Sequence, residues 1–188
     1  MTLGATHVGG IDPTTLDGGL ERSVDSVVQI ALDFKAPIDM HLHEPAPSGI
    51  AAIKRIADHV EKEPSLKGKV TFSHCFCLED LSDAEAADMA VLMANAGMSV
   101  ASTVPMGRKI MPIPILLAKG VPVYVGTDTV VDFWGVFGTC DALLKAWTAC
   151  QLYGWSDEFG LSQSLRLATG GPIPLSPTGE QLCPKAGD

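Results

Sequence analysis

The sequence predicts an α/β fold of about five parallel strands joined by crossover helices. Three observations predict it. Short apolar runs alternate with segments of helical period five times over, and such alternation means parallel strands with helical crossovers. The runs are apolar along most of their length, which predicts strands covered on both faces. Residues able to do chemistry gather where the runs end, and parallel α/β folds build their sites at the carboxyl ends of strands.

The elements follow in order. GATHVGG (4–10) is a short apolar run closed by two glycines, a strand. In 20–34, Val24, Val27, Val28 and Ala31 recur at helical spacing. APIDMHL (36–42) reads as a strand, and 48–62 as a helix with Ile50, Ile53 and Ile56 on one face and Ser48 as its N-cap. KVTFSHC (69–75) is a third strand. The helix at 81–97 carries Ser82 as N-cap, Glu85 as capping-box partner and Gly97 past its end. A strand at 98–104, a short helix at 113–120, a strand at 121–128 and helices near 139–152 and 160–168 complete the pattern. The segment 171–188 is rich in Pro and Gly and has no helical period, so the expected organisation is one domain over 1–170 and a tail.

Composition narrows the function classes. A chain of 188 residues can bury a substantial core. Its net charge of −9 argues against nucleic acid, whose phosphates need Lys and Arg. No apolar run approaches the ~20 residues of a membrane span, and the first ten residues lack the basic start and apolar core of a leader. The five cysteines include no Cys-x-x-Cys pair, and Cys75 and Cys77 stand too close in sequence for easy chelation or bridging. The expectation is reduced thiols in a cytoplasmic protein.

At the ends of the runs stand His7; His41, His43 and Glu44; Ser73 and His74; Thr103; Thr127 and Asp128. His59, in a helix among Asp58 and Glu61, reads as a solvated surface residue. One histidine at a strand end is ordinarily a hydrogen-bonded structural group, and one aspartate a turn residue. His41, His74 and Asp128 on three separate strands are a set, and the set favours function. Imidazole and carboxylate together bind zinc or iron while leaving a position for water. A nearby glutamate that is not a ligand can move protons.

Five stretches carry a resemblance: HVGGIDP (7–13), IDMHLHE (38–44), VTFSHCF (70–76), MPIPILLAKGVPVYVGTD (111–128) and DFWGVFGTCDALL (132–144). In their order and spacing the chain resembles the amidohydrolase superfamily, within it the cytosine deaminase branch and its related aminohydrolases of s-triazine rings. The resemblance implies a partial TIM-like (β/α) barrel containing family strands four to eight. It implies a hydrolase of C–N bonds acting on a cyclic amidine or pyrimidine-like small molecule, with one divalent metal ion, zinc or iron. His41 and Asp128 then correspond to metal ligands, and Asp128 also to the general base. Glu44 corresponds to the proton-shuttling glutamate, and His74 to the histidine that hydrogen-bonds the hydrolytic water or the metal. Trp134 and His43 correspond to pocket-lining, substrate-binding positions, although His43 stands where family members often have an acid.

The His-x-His that the family carries on its first strand has no counterpart upstream of the fourth-strand motif. A partial barrel leaves strand edges unpaired. The expectations are therefore weak or no turnover by this chain alone, and association with another copy or with a partner that supplies strands. The alternative is a non-catalytic α/β domain with a residual small-molecule or metal site.

Overall fold

The computed structural model describes residues 1–187 except Asp132, Trp134 and Phe137. Five strands, β1 (Val8–Ile11), β2 (Ile38–Leu42), β3 (Val70–His74), β4 (Ser99–Ser102) and β5 (Val123–Val125), form one sheet in sequential order. β1 to β4 pair in parallel, with Ile38 opposite Val8 and Val70 opposite Ile38. Helices α1 (Leu20–Phe34), α2 (Ser48–Lys62), α3 (Asp83–Asn95) and α4 (Ile113–Ala118) are the crossovers. α5 (Ala142–Tyr153) and α6 (Glu158–Thr169) follow β5, and 3-10 turns occupy Pro64–Leu66 and Phe76–Asp80.

The chain divides into two compact units. One comprises Met1–Ala101 and Met111–Val123, the other Ser102–Ile110 and from Tyr124 onward.

In the first unit, sequential strand order has a direct consequence. Right-handed crossovers that always step the same way place every helix on the same face of the sheet. Burial follows suit. Ile38, Met40, Leu42, Val70, Phe72 and Val100 are buried, while the alternate positions Asp39, Thr71, Ser73 and Ser99 are half-exposed and His41 is exposed. The expectation of strands covered on both faces is therefore corrected. On β2, β3 and the start of β4 the second face carries polar side chains that hydrogen-bond one another, beside Gly9, Ile11 and Ala101 in the same register. Ser73 Oγ donates to Asp39 Oδ1 at 2.8 Å, and the Thr71 and Ser99 hydroxyls meet at 2.8 Å.

The helical face is closed by the residues whose spacing predicted it. Val24, Val27, Val28 and Ala31 of α1 are buried, as are Ile53 and Ile56 of α2. Each of these Val and Ile side chains taken out of water contributes about 1.5–3 kcal/mol. Ser82 caps α3 with Glu85 completing the capping box. Ser48, however, is the first helical residue of α2 rather than its cap. The cap position is Pro47, which makes no side-chain cap bond.

Two histidine expectations change. β1 begins at Val8, so exposed His7 stands at its amino end, away from the strand ends that carry the site; its Nδ1 lies 2.9 Å from Thr6 Oγ1. His59 is not a free surface residue. Asp25 of α1 is bonded by Arg55 Nε and Nη2 at 3.0 and 2.7 Å, and His59 Nε2 lies 2.7 Å from its Oδ1. These contacts clamp α2 to α1 and lower the Asp25 carboxyl to about 2, chiefly through the Arg55 hydrogen bond and next through that of His59.

Two stability outcomes follow. Asp25 has its folded pKa below its unfolded one, so its contribution is complete above the unfolded value of about 3.9 and is lost as pH falls through about 2. Asp25→Asn should lower the urea midpoint slightly at pH 7, because exposed pairs contribute little, and the gap from wild type should close between pH 4 and pH 2. A gap independent of pH would refute the clamp. Gly49, buried at the start of α2, has no room for a side chain: a Cβ there would lie 2.6 Å from the Glu44 carbonyl oxygen and 2.7 Å from Cys77 Cβ. Gly49→Ala should cost about 1–3 kcal/mol in urea unfolding.

Candidate active site

In the first unit, the carboxyl ends of β1 and β2 hold each other through two carboxylates. Asp12, directly after β1, is buried. Its Oδ1 accepts the His43 and Glu44 backbone N–H groups at 2.6 and 3.2 Å, and its Oδ2 lies 2.9 Å from His43 Nδ1. Glu44, just past β2, is also buried. Its Oε1 accepts the backbone N–H groups of Thr14 and Thr15 at 2.9 and 2.6 Å. Each carboxylate thus binds two backbone amides of the other's segment. Among the described residues Glu44 Oε2 is buried with no hydrogen-bond partner, and a buried oxygen of this kind is a costly group to leave unmatched.

Three imidazoles and a phenyl ring surround this clasp. The His43 ring centre lies 4.4 Å from that of His74 and 5.8 Å from that of His41, and His41 and His74 are 5.1 Å apart. Phe76 stands 5.3 Å from His74 and 5.8 Å from His43. His74 ends β3 with a left-handed backbone at φ 68°, and Asp12 has φ 40°. Such backbone costs of the order of 1–3 kcal/mol per residue and collects at functional sites. Beside His74, buried Cys75 and Cys77 hold their sulfurs 3.9 Å apart, and the hydrogen bond between them, together with burial, pushes the Cys75 thiol well up.

The second unit contains Asp128, three residues past β5, with φ 62°. It lines a cavity of about 380 Å³ with Thr103, Thr127, Lys145 and Thr148. Lys145 Nζ donates to the Thr103 carbonyl oxygen at 2.8 Å. Burial pushes the Lys145 pKa down, and the Asp128 carboxylate acts in the opposite sense. Trp134 lies outside the described residues.

His41, His43, Glu44 and His74 are thus gathered in one place, and Asp128 stands in the second unit. Sequence reasoning missed two residues, Asp12 and Lys145. Asp12 was legible in principle, as an acid between a strand and a proline in GIDP. Lys145 carries no such signal, because one lysine on an amphipathic helix reads as solvated.

The Amidohydrolase family model matches residues 1–175. The chain belongs to this family. The Escherichia coli (strain K12) protein YahJ is 48% identical over all 188 residues, which cover 41% of YahJ. The N-isopropylammelide isopropyl amidohydrolase of Pseudomonas sp. (strain ADP) is 32% identical over 147 residues, 78% of this chain and 36% of that protein. Among solved structures, N-isopropylammelide isopropylaminohydrolase from Burkholderia multivorans matches with a TM-score of 0.83 at 30% identity, over 90% of this chain and 43% of that one. The 5-methylcytosine deaminase of Klebsiella pneumoniae, liganded with 5-fluorocytosine, matches in fold with a TM-score of 0.71 at 18% identity, over 88% of this chain and 43% of its own. The chain spans less than half the length of these relatives. Its five parallel strands are a partial (β/α) barrel of the amidohydrolase kind.

The family generally uses a divalent metal. Among the described residues, no group of three or more His, Cys, Asp or Glu side chains is placed to hold one. His41 belongs to the first unit and Asp128 to the second, and neither is part of such a set among the described residues. Among the described residues, no helix is long and apolar enough to cross a membrane.

The clasp makes a graded prediction. Glu44→Ala strips the Thr14 and Thr15 amides of their acceptor and should cost about 1–3 kcal/mol. Glu44→Gln keeps an accepting oxygen and should cost clearly less. Equal losses in urea unfolding would mean that Oε1 does not hold these amides.

Proposed function

We infer that this chain is the part of an amidohydrolase that handles protons during hydrolysis of a C–N bond on a nitrogen-rich ring of the s-triazine or cytosine kind. The observation that carries this reading is Glu44, a buried carboxylate with one oxygen fixed by two backbone amides and the other without a partner. A group held this way can pass a proton to a ring nitrogen without reorienting. The names of the relatives support the ring class, since they act on N-isopropylammelide and on 5-methylcytosine.

In this reading water adds to the ring carbon that bears the amine, the C–N bond breaks, and the ring keeps the oxygen while ammonia or an alkylamine leaves. Glu44, protonated on Oε2, gives that proton to a ring nitrogen; as the C–N bond breaks, the amine leaves with the water proton held by Asp128, and the hydroxyl proton returns to Glu44. His74, partly enclosed by His43, His41 and Phe76, orients the attacking water, and His43 lines the pocket. Asp128 is proposed as the base for the water proton, on the support of its left-handed strand-end position and its cavity with Lys145. Trp134 is proposed as a pocket wall. A divalent zinc or iron ion held through His41 and Asp128 would activate the water in such an enzyme. The protein is proposed to work in the cytoplasm, over 1–170 as its barrel portion, and together with a second copy or a partner that supplies strands.

A second reading has its own observation. The absence, among the described residues, of a three-ligand cluster favours a non-catalytic domain that keeps only a small-molecule site.

Amine release from cytosine, 5-methylcytosine and N-isopropylammelide, measured with zinc or iron supplied, separates the two. The enzyme reading expects release that Glu44→Gln lowers by about 10²–10⁴. Release that survives Glu44→Gln would remove Glu44 from the chemistry, and no release from any of the rings would favour the second reading.

A further inference from the structure

Asp12 has a task beyond holding backbone. Its Oδ1 is taken by two main-chain N–H groups, so its Oδ2 is the oxygen left for His43 Nδ1, at 2.9 Å. A carboxylate only accepts hydrogen bonds, so the nitrogen facing it must carry the proton. In the neutral ring this leaves Nε2 bare. The two members are also placed unequally. The Asp12 side chain is 9% exposed and the His43 side chain 38% exposed, so the anchoring end of the pair is inside and the free end of the imidazole is reachable. The rings of His74 and Phe76, 4.4 and 5.8 Å away, support the orientation from the side.

We propose that Asp12 is a positioning residue that fixes His43 with its proton on Nδ1, so that Nε2 serves as a hydrogen-bond acceptor selecting ligands that present an N–H donor. An amino-substituted ring or a ring lactam presents such a donor. A fully alkylated ring does not. The ligand half of this proposal rests on the site reading given above, and the tautomer half stands without it.

The test is nitrogen NMR on chain labelled with ¹⁵N-histidine, at pH 8.5, above the ordinary imidazole range of about 6.5. His43→Gln assigns the His43 signals. The wild-type ring should show a protonated Nδ1 and an unprotonated Nε2. In Asp12→Asn, the amide oxygen still accepts the two backbone N–H groups while the amide nitrogen donates to Nδ1, so the proton should move to Nε2. A wild-type ring with its proton on Nε2, or an Asp12→Asn ring unchanged from wild type, would overturn the proposal. Should the variant fail to fold, the wild-type tautomer decides alone. Added cytosine should shift wild-type Nε2 in the direction of an accepted hydrogen bond and leave the Nε2 of Asp12→Asn without that shift. Wild type that does not respond to cytosine while showing the expected tautomer would count against the ring-hydrolase reading and for the positioning role of Asp12.

Discussion

Two buried carboxylates, each seated on the other's backbone, are what the rest of the site depends on. Desolvating one carboxylate costs several kcal/mol unless donors replace the lost water. Asp12 and Glu44 solve this for each other, with four main-chain N–H groups shared between them. Charge-assisted bonds to backbone are strong and directional. The clasp therefore fixes the path of the chain past both strand ends, and with it the direction in which His43 and Glu44 project. Gly49 completes the arrangement from the other side, since only a bare α-carbon lets α2 start against the Glu44 carbonyl and Cys77.

The one-sided placement of helices is the second constraint. In this sheet, whose strands run in sequence order, one face is buried under the crossovers, and several polar side chains stand on the other. Asp39, Thr71, Ser73 and Ser99 fill that face and bond with one another. His41 belongs to the same row, and it is exposed. The hydrogen-bonded row thus leads along the sheet towards the histidines at the strand ends, and the site is the continuation of a polar surface.

Much of this was legible in the sequence, for identifiable reasons. The helices came through because periodicity is a property of many residues together: Val24, Val27, Val28 and Ala31 had one interpretation, and so did Ser82 with Glu85. Single-residue readings fared worse. Ser48 looked like a cap, yet the chain enters α2 one residue earlier at Pro47. His59 looked solvated because its partners Asp25 and Arg55 belong to a packing of two helices that no local pattern displays. The strands were read as doubly covered because they are rich in Val, Ile and Met. The apolar–polar alternation in IDMHL and VTFSH already pointed to one covered face. His41, Glu44 and His74 stood out because they end strands, and Asp12 did not because its bonds reach across 31 and 32 residues.

That separation has a consequence for motion. The loop after β1 and the loop after β2 share their hydrogen bonds reciprocally, so neither can open while the other stays formed. If the turn at Thr14 and Thr15 lifts, Glu44 loses both its amides; if the end of β2 lifts, Asp12 loses two of its own. β1, α1 and β2 consequently behave at this end as one cooperative block, closed by a latch that has no independent half. Ligands that engage Glu44 or His43 would stiffen the turn after β1 without touching it.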